Sequence, residues 1–164
     1  MSPRRWWALA LALVVLGGVL QGLTWRARSA PASGDRALTD AETTDVVLGQ
    51  VSDGLTRVFT YTPANTAGTQ QAAAEVLDGE ALGQYQSLFG QVRQQAPGQG
   101  LTLTTRVSRA GVVRLSGDTA QVLVFLDQTI GRKDQPRPSY AAAQLSVTAR
   151  LEHGQWRIVQ IHSR

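Results

Sequence analysis

The sequence predicts an α+β domain, about three helices packed on a curved antiparallel sheet of about four strands, placed after a single N-terminal transmembrane helix. Three observations predict it. Residues 6–25, WWALALALVVLGGVLQGLTW, form one uncharged apolar segment with Arg4 and Arg5 before it and Arg26 and Arg28 after it. From residue 39 to 96 apolar side chains recur at helical spacing. Beyond Pro97-Gly98 they recur at every second residue, the period of a strand.

The apolar segment matches a bilayer. Its twenty residues, at ~1.5 Å of rise each, make a helix of roughly 30 Å, the thickness of the hydrocarbon core. Trp6, Trp7 and Trp25 stand at its two edges, where indole rings favour the headgroup region. A cleaved signal peptide is the competing reading, since Met1 to Arg5 is a basic start and Ala30-Pro31-Ala32 is a small-x-small site. That site lies well past the apolar run, behind Arg26 and Arg28, and a central proline suits a peptidase poorly. The expectation is a retained single-pass anchor in the cell membrane, contacting the lipid bilayer through residues 6–25. Residues 1–5 form a cytoplasmic arm, residues 26–38 a juxtamembrane linker and residues 39–164 an extracytoplasmic domain, because long domains translocate largely regardless of charge.

Each element of the domain has a local cause. Thr39-Asp40-Ala41-Glu42 is a capping-box pattern, so a helix is expected from Thr39 to about residue 60. Val47, Val51, Leu55, Val58 and Phe59 form its apolar face, Pro63 ends it, and Gly54 is tolerable if it allows close packing. A short helix fits Thr69 to Asp78, ending at Gly79. A third helix from about Glu80 to Ala96 buries Leu82, Tyr85, Leu88, Phe89 and Val92, and Pro97-Gly98 stops it. Leu101 to Leu115 reads as a strand bent at Ala110-Gly111, followed by a Ser116-Gly117-Asp118 turn. Thr119 to Thr129 is apolar on both faces, the pattern of a central strand covered on both sides. Gly131 to Pro138 reads as a charged loop, Leu145 to Leu151 as a half-buried strand, and His153-Gly154 as the turn into a last strand with Trp156, Ile158 and Ile161.

Composition excludes several function classes. The net charge of +4 is carried mostly by the anchor region: residues 1–35 contribute +3 and residues 36–164 only +1. The domain therefore lacks the electrostatic footprint of a nucleic-acid binder, and no nucleic-acid partner is expected. Within it, residues 36–80 sum to −5 and residues 81–164 to +6. That asymmetry predicts either a two-sided surface or elements that pair acids with bases. With no cysteine there is no disulfide, thiolate metal site or cysteine nucleophile.

The search for chemistry assigns no catalytic, cofactor-binding or metal residue. His153 falls in a turn and His162 at a strand end, and no histidine–carboxylate cluster has metal-ligand spacing. Asp127 interrupts an apolar strand; pointing into a closed pocket it could act as a general base, and otherwise it marks the strand's exit to solvent. Tyr85, Phe89 and Trp156 could line a ligand cavity or simply be core.

The order of these pieces resembles a known family. The anchor leads to Arg57-Val58-Phe59-Thr60-Tyr61-Thr62-Pro63, a Leu77-Asp78-Gly79 corner precedes Gln84-Tyr85-Gln86-Ser87-Leu88, and Gly117 to Gln128 and His153-Gly154-Gln155-Trp156-Arg157-Ile158 follow. Nearly the whole chain is similar to the Mce-associated membrane proteins of actinobacteria. Gly-x-Trp-x-Ile also recurs in the wider superfamily of nuclear transport factor 2-like and ketosteroid isomerase-like cones. The resemblance implies a curved-sheet cone outside the membrane and a non-catalytic accessory role. The implied partners are components of Mce-type lipid or sterol import machinery or other envelope proteins, with a lipid as a possible ligand; no cofactor is implied. Two other readings of the same cone are an isomerase- or cyclase-type enzyme with Asp127 as base, and a type IV secretion assembly factor.

Overall fold

A computed structural model describes residues 41–163, with the side chains of residues 91–99 outside the description. The predicted span 6–25, the linker 26–38 and the capping box at Thr39-Asp40 lie outside the described residues. Among the described residues no helix is long and apolar enough to cross a membrane. Helix α1 is Ala41–Val58, a 3-10 turn follows at Pro63–Asn65, α2 is Thr66–Val76 and α3 is Gly79–Gln99. Strands β1 (Thr102–Ser116), β2 (Thr119–Arg132), β3 (Gln135–Glu152) and β4 (Gln155–Ser163) form one antiparallel sheet in the order β1-β2-β3-β4.

Helix α1 explains the cone. Its apolar stripe of Val47, Val51, Leu55 and Val58 is buried, and the helix packs on β1, β2 and β4. Because β1 and β4 are the two edges of the sheet, the sheet must curve around α1 to bring both onto it. Val122, Val124 and Leu126 of β2 and Leu145, Val147 and Ala149 of β3 fill the same concave side, one face of strands whose side chains alternate. Gly54 lets α2 approach α1: a Cβ there would lie 2.6 Å from Val76 Cγ1.

Several boundaries differ from expectation, each for a local reason. Helix α2 starts at Thr66 rather than Thr69, because the Asn65 side chain accepts the Gly68 N–H at 3.2 Å. It ends at Val76, since Leu77 is extended and bridges Ile158 in β4. Helix α3 runs through Pro97-Gly98 to Gln99; in a last turn proline removes only one helical hydrogen bond. The bends in β1 fall between Val107 and Arg109 and between Val112 and Arg114, flanking Ala110-Gly111. The expected loop at 131–138 is instead the end of a long hairpin, with β2 and β3 continuing to Arg132 and Gln135 around Lys133-Asp134. Strand β2 is central, but only one of its faces is covered: Phe125 on the other is 39% exposed.

The sequence motifs prove to be joints. Tyr61 exchanges both main-chain hydrogen bonds with Leu103 at 2.8 Å, pinning the Phe59–Pro63 segment to the outer edge of β1. His153 (φ 51) and Gly154 (φ 82) make a turn with two left-handed residues between β3 and β4, the geometry that matches strand twist in a tight hairpin. After it, the Trp156 N–H donates to Gln50 Oε1 at 2.8 Å and the Asp78 N–H donates to the Ile158 carbonyl at 2.8 Å. Between them, Arg157 donates from one terminal nitrogen to the carbonyls of Ala74 and Leu77 at 2.7 and 2.8 Å, and lies 3.6 Å from Asp78. Those carbonyls end α2 and have no intrahelical partner. Arg157→Met should therefore cost about 1–2 kcal/mol, read as a lower urea midpoint with an unchanged m-value.

Candidate functional site

The sequence left two candidates for a functional role, an aromatic lining of Tyr85, Phe89 and Trp156 and a carboxylate at Asp127. Tyr61 and Phe89 are buried and meet edge to face with ring centroids 5.9 Å apart, while Tyr85 and Phe89 stack at 5.3 Å. Leu101 and Leu103 complete this cluster at the end of the cone where α3 meets the start of β1. Trp156 is not part of it; that ring is 5% exposed and packs in the main core under α1. The expected lining of Tyr85, Phe89 and Trp156 is thus divided between two clusters.

The polar atoms around these rings are distinctive. The hydroxyls of Tyr61 and Tyr85 are buried and, among the described residues, have no hydrogen-bond partner. Beside them, Thr105 Oγ1 donates to the Phe59 carbonyl at 2.7 Å and accepts from Gln128 Nε2 at 3.2 Å. Gln128, Thr105 and Thr69 are buried polar residues. Chemically, this cluster combines two phenols with a threonine hydroxyl and a glutamine amide, and among the described residues that form it there is no carboxylate, imidazole or amine. Burial pushes the Tyr85 phenol well above its ordinary range. An acid whose folded-state pKa is raised contributes stability that is intact below the unfolded value of about 10 and lost as pH rises above it. Thermal unfolding of the wild type should therefore fall more steeply above pH ~10 than that of Tyr85→Phe, which at neutral pH should match or slightly exceed wild type by removing an unpaired hydroxyl.

The remaining candidates lie outside the cone. Asp127 is exposed, on the face of β2 opposite Leu126 and Gln128, and its register partner across β1 is Arg106. A general base inside the cone is thereby ruled out for this residue; as the sequence alternative had it, Asp127 faces solvent. His153 and His162 are both exposed. Among the described residues no group of three or more His, Cys, Asp or Glu could hold a metal ion.

The charge asymmetry is spatial. Glu42, Asp45, Asp53, Glu75, Asp78 and Glu80 all come from the helical layer, where Arg57 pairs with Glu75 and with Gln71's amide holds that carboxyl below its ordinary range. The uncovered face of the sheet instead presents Arg106, Arg109 and Arg114 from β1 next to Leu123 and Phe125 of β2. Arginines beside exposed aromatic and aliphatic side chains are typical of protein-binding surfaces. Sequence reasoning missed this surface because it assumed that both faces of β2 were covered.

No family model matches the chain. It is 34% identical over 123 residues to the uncharacterized protein Rv1362c of Mycobacterium tuberculosis, covering 74% of this chain and 56% of that protein, so it spans little more than half of that relative's length. It is 30% identical over 155 residues to the outer membrane protein Rv1973 of the same organism, covering 93% of this chain and 89% of that protein. Among solved structures, CagV, a VirB8 homolog of the type IV secretion system of Helicobacter pylori, superposes with a TM-score of 0.60 at 12% identity over 73% of this chain and 96% of CagV. A nuclear transport factor 2-like superfamily protein of Salmonella enterica gives a TM-score of 0.52 at 13% identity over 73% of this chain and 91% of that one. At such identities these likenesses show the fold, a nuclear transport factor 2-like cone, and nothing of what it does.

Proposed function

The chain belongs to the same family as the mycobacterial outer membrane protein Rv1973, and from that membership we propose that it is an envelope protein whose cone binds other envelope proteins and has no turnover of its own. The observation that carries this reading is the 30% identity to Rv1973 along 93% of the chain. Two features of the molecule support it. Among the described residues, Thr105 inside the cone makes structural hydrogen bonds and the Tyr61 and Tyr85 hydroxyls have no partner, and Asp127, the carboxylate that the sequence offered as an internal base, is exposed. The uncovered sheet face carries Arg106, Arg109 and Arg114 beside Phe125, a surface suited to protein contact.

The finer form of the proposal follows the sequence resemblance. Residues 6–25 anchor the protein in the cell membrane with the domain extracytoplasmic, and the cone binds and stabilises components of an Mce-type lipid or sterol import system. Deleting the gene should then lower the abundance of Mce proteins and the uptake of lipid, and restoring the full chain should recover both. No change in either measurement sinks this form. A second reading is favoured by the likeness to the VirB8 homolog CagV: an assembly factor of a secretion system. Pull-down of the full chain from solubilised membranes separates the two, because the partners recovered belong to one machinery or the other.

A further inference from the structure

The edges of the sheet are protected unequally. The outer edge of β1 has two register shifts, carries Arg106, Arg109 and Arg114, and takes Tyr61 as a bridge partner at Leu103. Irregular pairing and charge are the usual defences of an edge strand. Strand β4 covers the outer edge of β3 only from Leu145 to Glu152. From Pro138 to Gln144 that edge pairs with no strand among the described residues, and Ser139-Tyr140-Ala141-Ala142-Ala143-Gln144 carries no charge.

The ladder fixes which main-chain groups look outward. Leu103 bonds Tyr61 through both its N–H and its carbonyl, and the Thr105 N–H donates to Thr60 Oγ1 at 3.2 Å, so both residues turn away from β2. Their partners across the ladder, Ile130 and Gln128, must turn theirs toward β3, onto Ser139 and Ala141. Alternation then leaves Tyr140, Ala142 and Gln144 with N–H and C=O directed outward. The same parity puts Pro138 where no N–H is needed, as a proline in a strand requires. Tyr140 is 77% exposed, and it shares the uncovered face with Phe125, the partner of Gln144.

We propose that the β3 edge from Pro138 to Gln144 receives an extended segment of a partner protein as an added strand, uncharged beside Tyr140–Gln144 and acidic at the end that reaches Arg137 and Lys133. An open row of main-chain donors and acceptors recognises extended backbone, and the alternate side chains of the edge, here Tyr140, Ala142 and Gln144, add selectivity. At the hairpin tip the exposed Arg137 and Lys133 outnumber the exposed Asp134, so the tip favours an acidic incoming end. A second copy of this chain offers no such complement, because its own edge is uncharged and flanked by Arg137. The proposal rests on the protein-binding role above and names its site.

The test uses the full chain in detergent micelles and the fluorescein-labelled peptide Thr-Val-Thr-Val-Asp-Glu, followed by anisotropy. Saturable binding is expected, weakened by about tenfold or more in Ala142→Pro and by N-methylation of alternate peptide residues. The proline removes an outward N–H and spares the β2 ladder, and the N-methylated peptide tests the same bonds on unaltered protein. Arg137→Glu should transfer the preference to a peptide ending in Lys-Lys. No saturable binding up to ~1 mM peptide overturns the proposal, as does undiminished binding of the N-methylated peptide. A concentration-dependent dimer that competes with the peptide also overturns it, in favour of a second copy. If the edge fails while pull-downs still recover envelope partners, the protein-binding role stands and only its site is wrong.

Discussion

Replacing Ile158 by alanine should lower the unfolding free energy by about 3 kcal/mol. The side chain is fully buried in the core beneath the helices. Alanine removes three carbons and leaves a cavity whose walls are held by two layers, so collapse is restricted. The position is also a joint: the Ile158 carbonyl accepts the Asp78 N–H, and Leu77 bridges it from the α2–α3 corner. Backbone bonds survive the substitution, so the loss is one of packing. Ile158→Val, which keeps the shape and removes one methylene, should cost only about 1 kcal/mol. Urea unfolding of both variants checks the ratio. Equal losses would mean that the cost at this position is not set by the side-chain volume removed.

Legibility in the sequence followed period and punctuation. The α1 stripe was readable because Val47, Val51, Leu55 and Val58 all fall on one helical face, and they are all buried. The β3–β4 turn was readable because His153-Gly154 interrupts alternation with a residue that accepts positive φ. What was not readable depends on contacts distant in the chain. The 131–138 segment has the charge and prolines of a loop, yet pairing between β2 and β3 carries the strands nearly to its centre. Leu123 and Phe125 have the hydropathy of buried residues, but whether a second layer covers them is decided by where the helices pack. All three helices reach only one side of a four-stranded sheet. The aromatic cluster shows the same limit: Tyr85 and Phe89 share a helix face by spacing, while Tyr61 joins them only because Leu103 captures the chain after α1. Trp156 had equal claim by hydropathy and went to the other cluster.

Thr105 is the second position where a single change should be costly, for a different reason. It is 2% exposed, and its hydroxyl donates to the Phe59 carbonyl and accepts from Gln128 Nε2. Its own N–H is satisfied by Thr60 Oγ1. Valine fills nearly the same volume, so Thr105→Val strands two buried polar groups with almost no change in packing. Each stranded group costs about 1–3 kcal/mol, and the expected loss is about 2–4 kcal/mol if neither finds a new partner. The two contributions can be separated. In Thr105→Val/Gln128→Leu the amide is gone along with its acceptor, so only the Phe59 carbonyl is left unpaired and part of the stability should return. A double-mutant cycle gives that coupling directly. If the double variant is no more stable than Thr105→Val, the Gln128 amide has repaired itself elsewhere and the bond to Thr105 is incidental. Recovery would instead identify the Thr60–Thr105–Gln128 relay as what fixes the chain after α1 against β1. That attachment sets the position of Tyr61, whose main chain bonds Leu103 on the outer edge of β1.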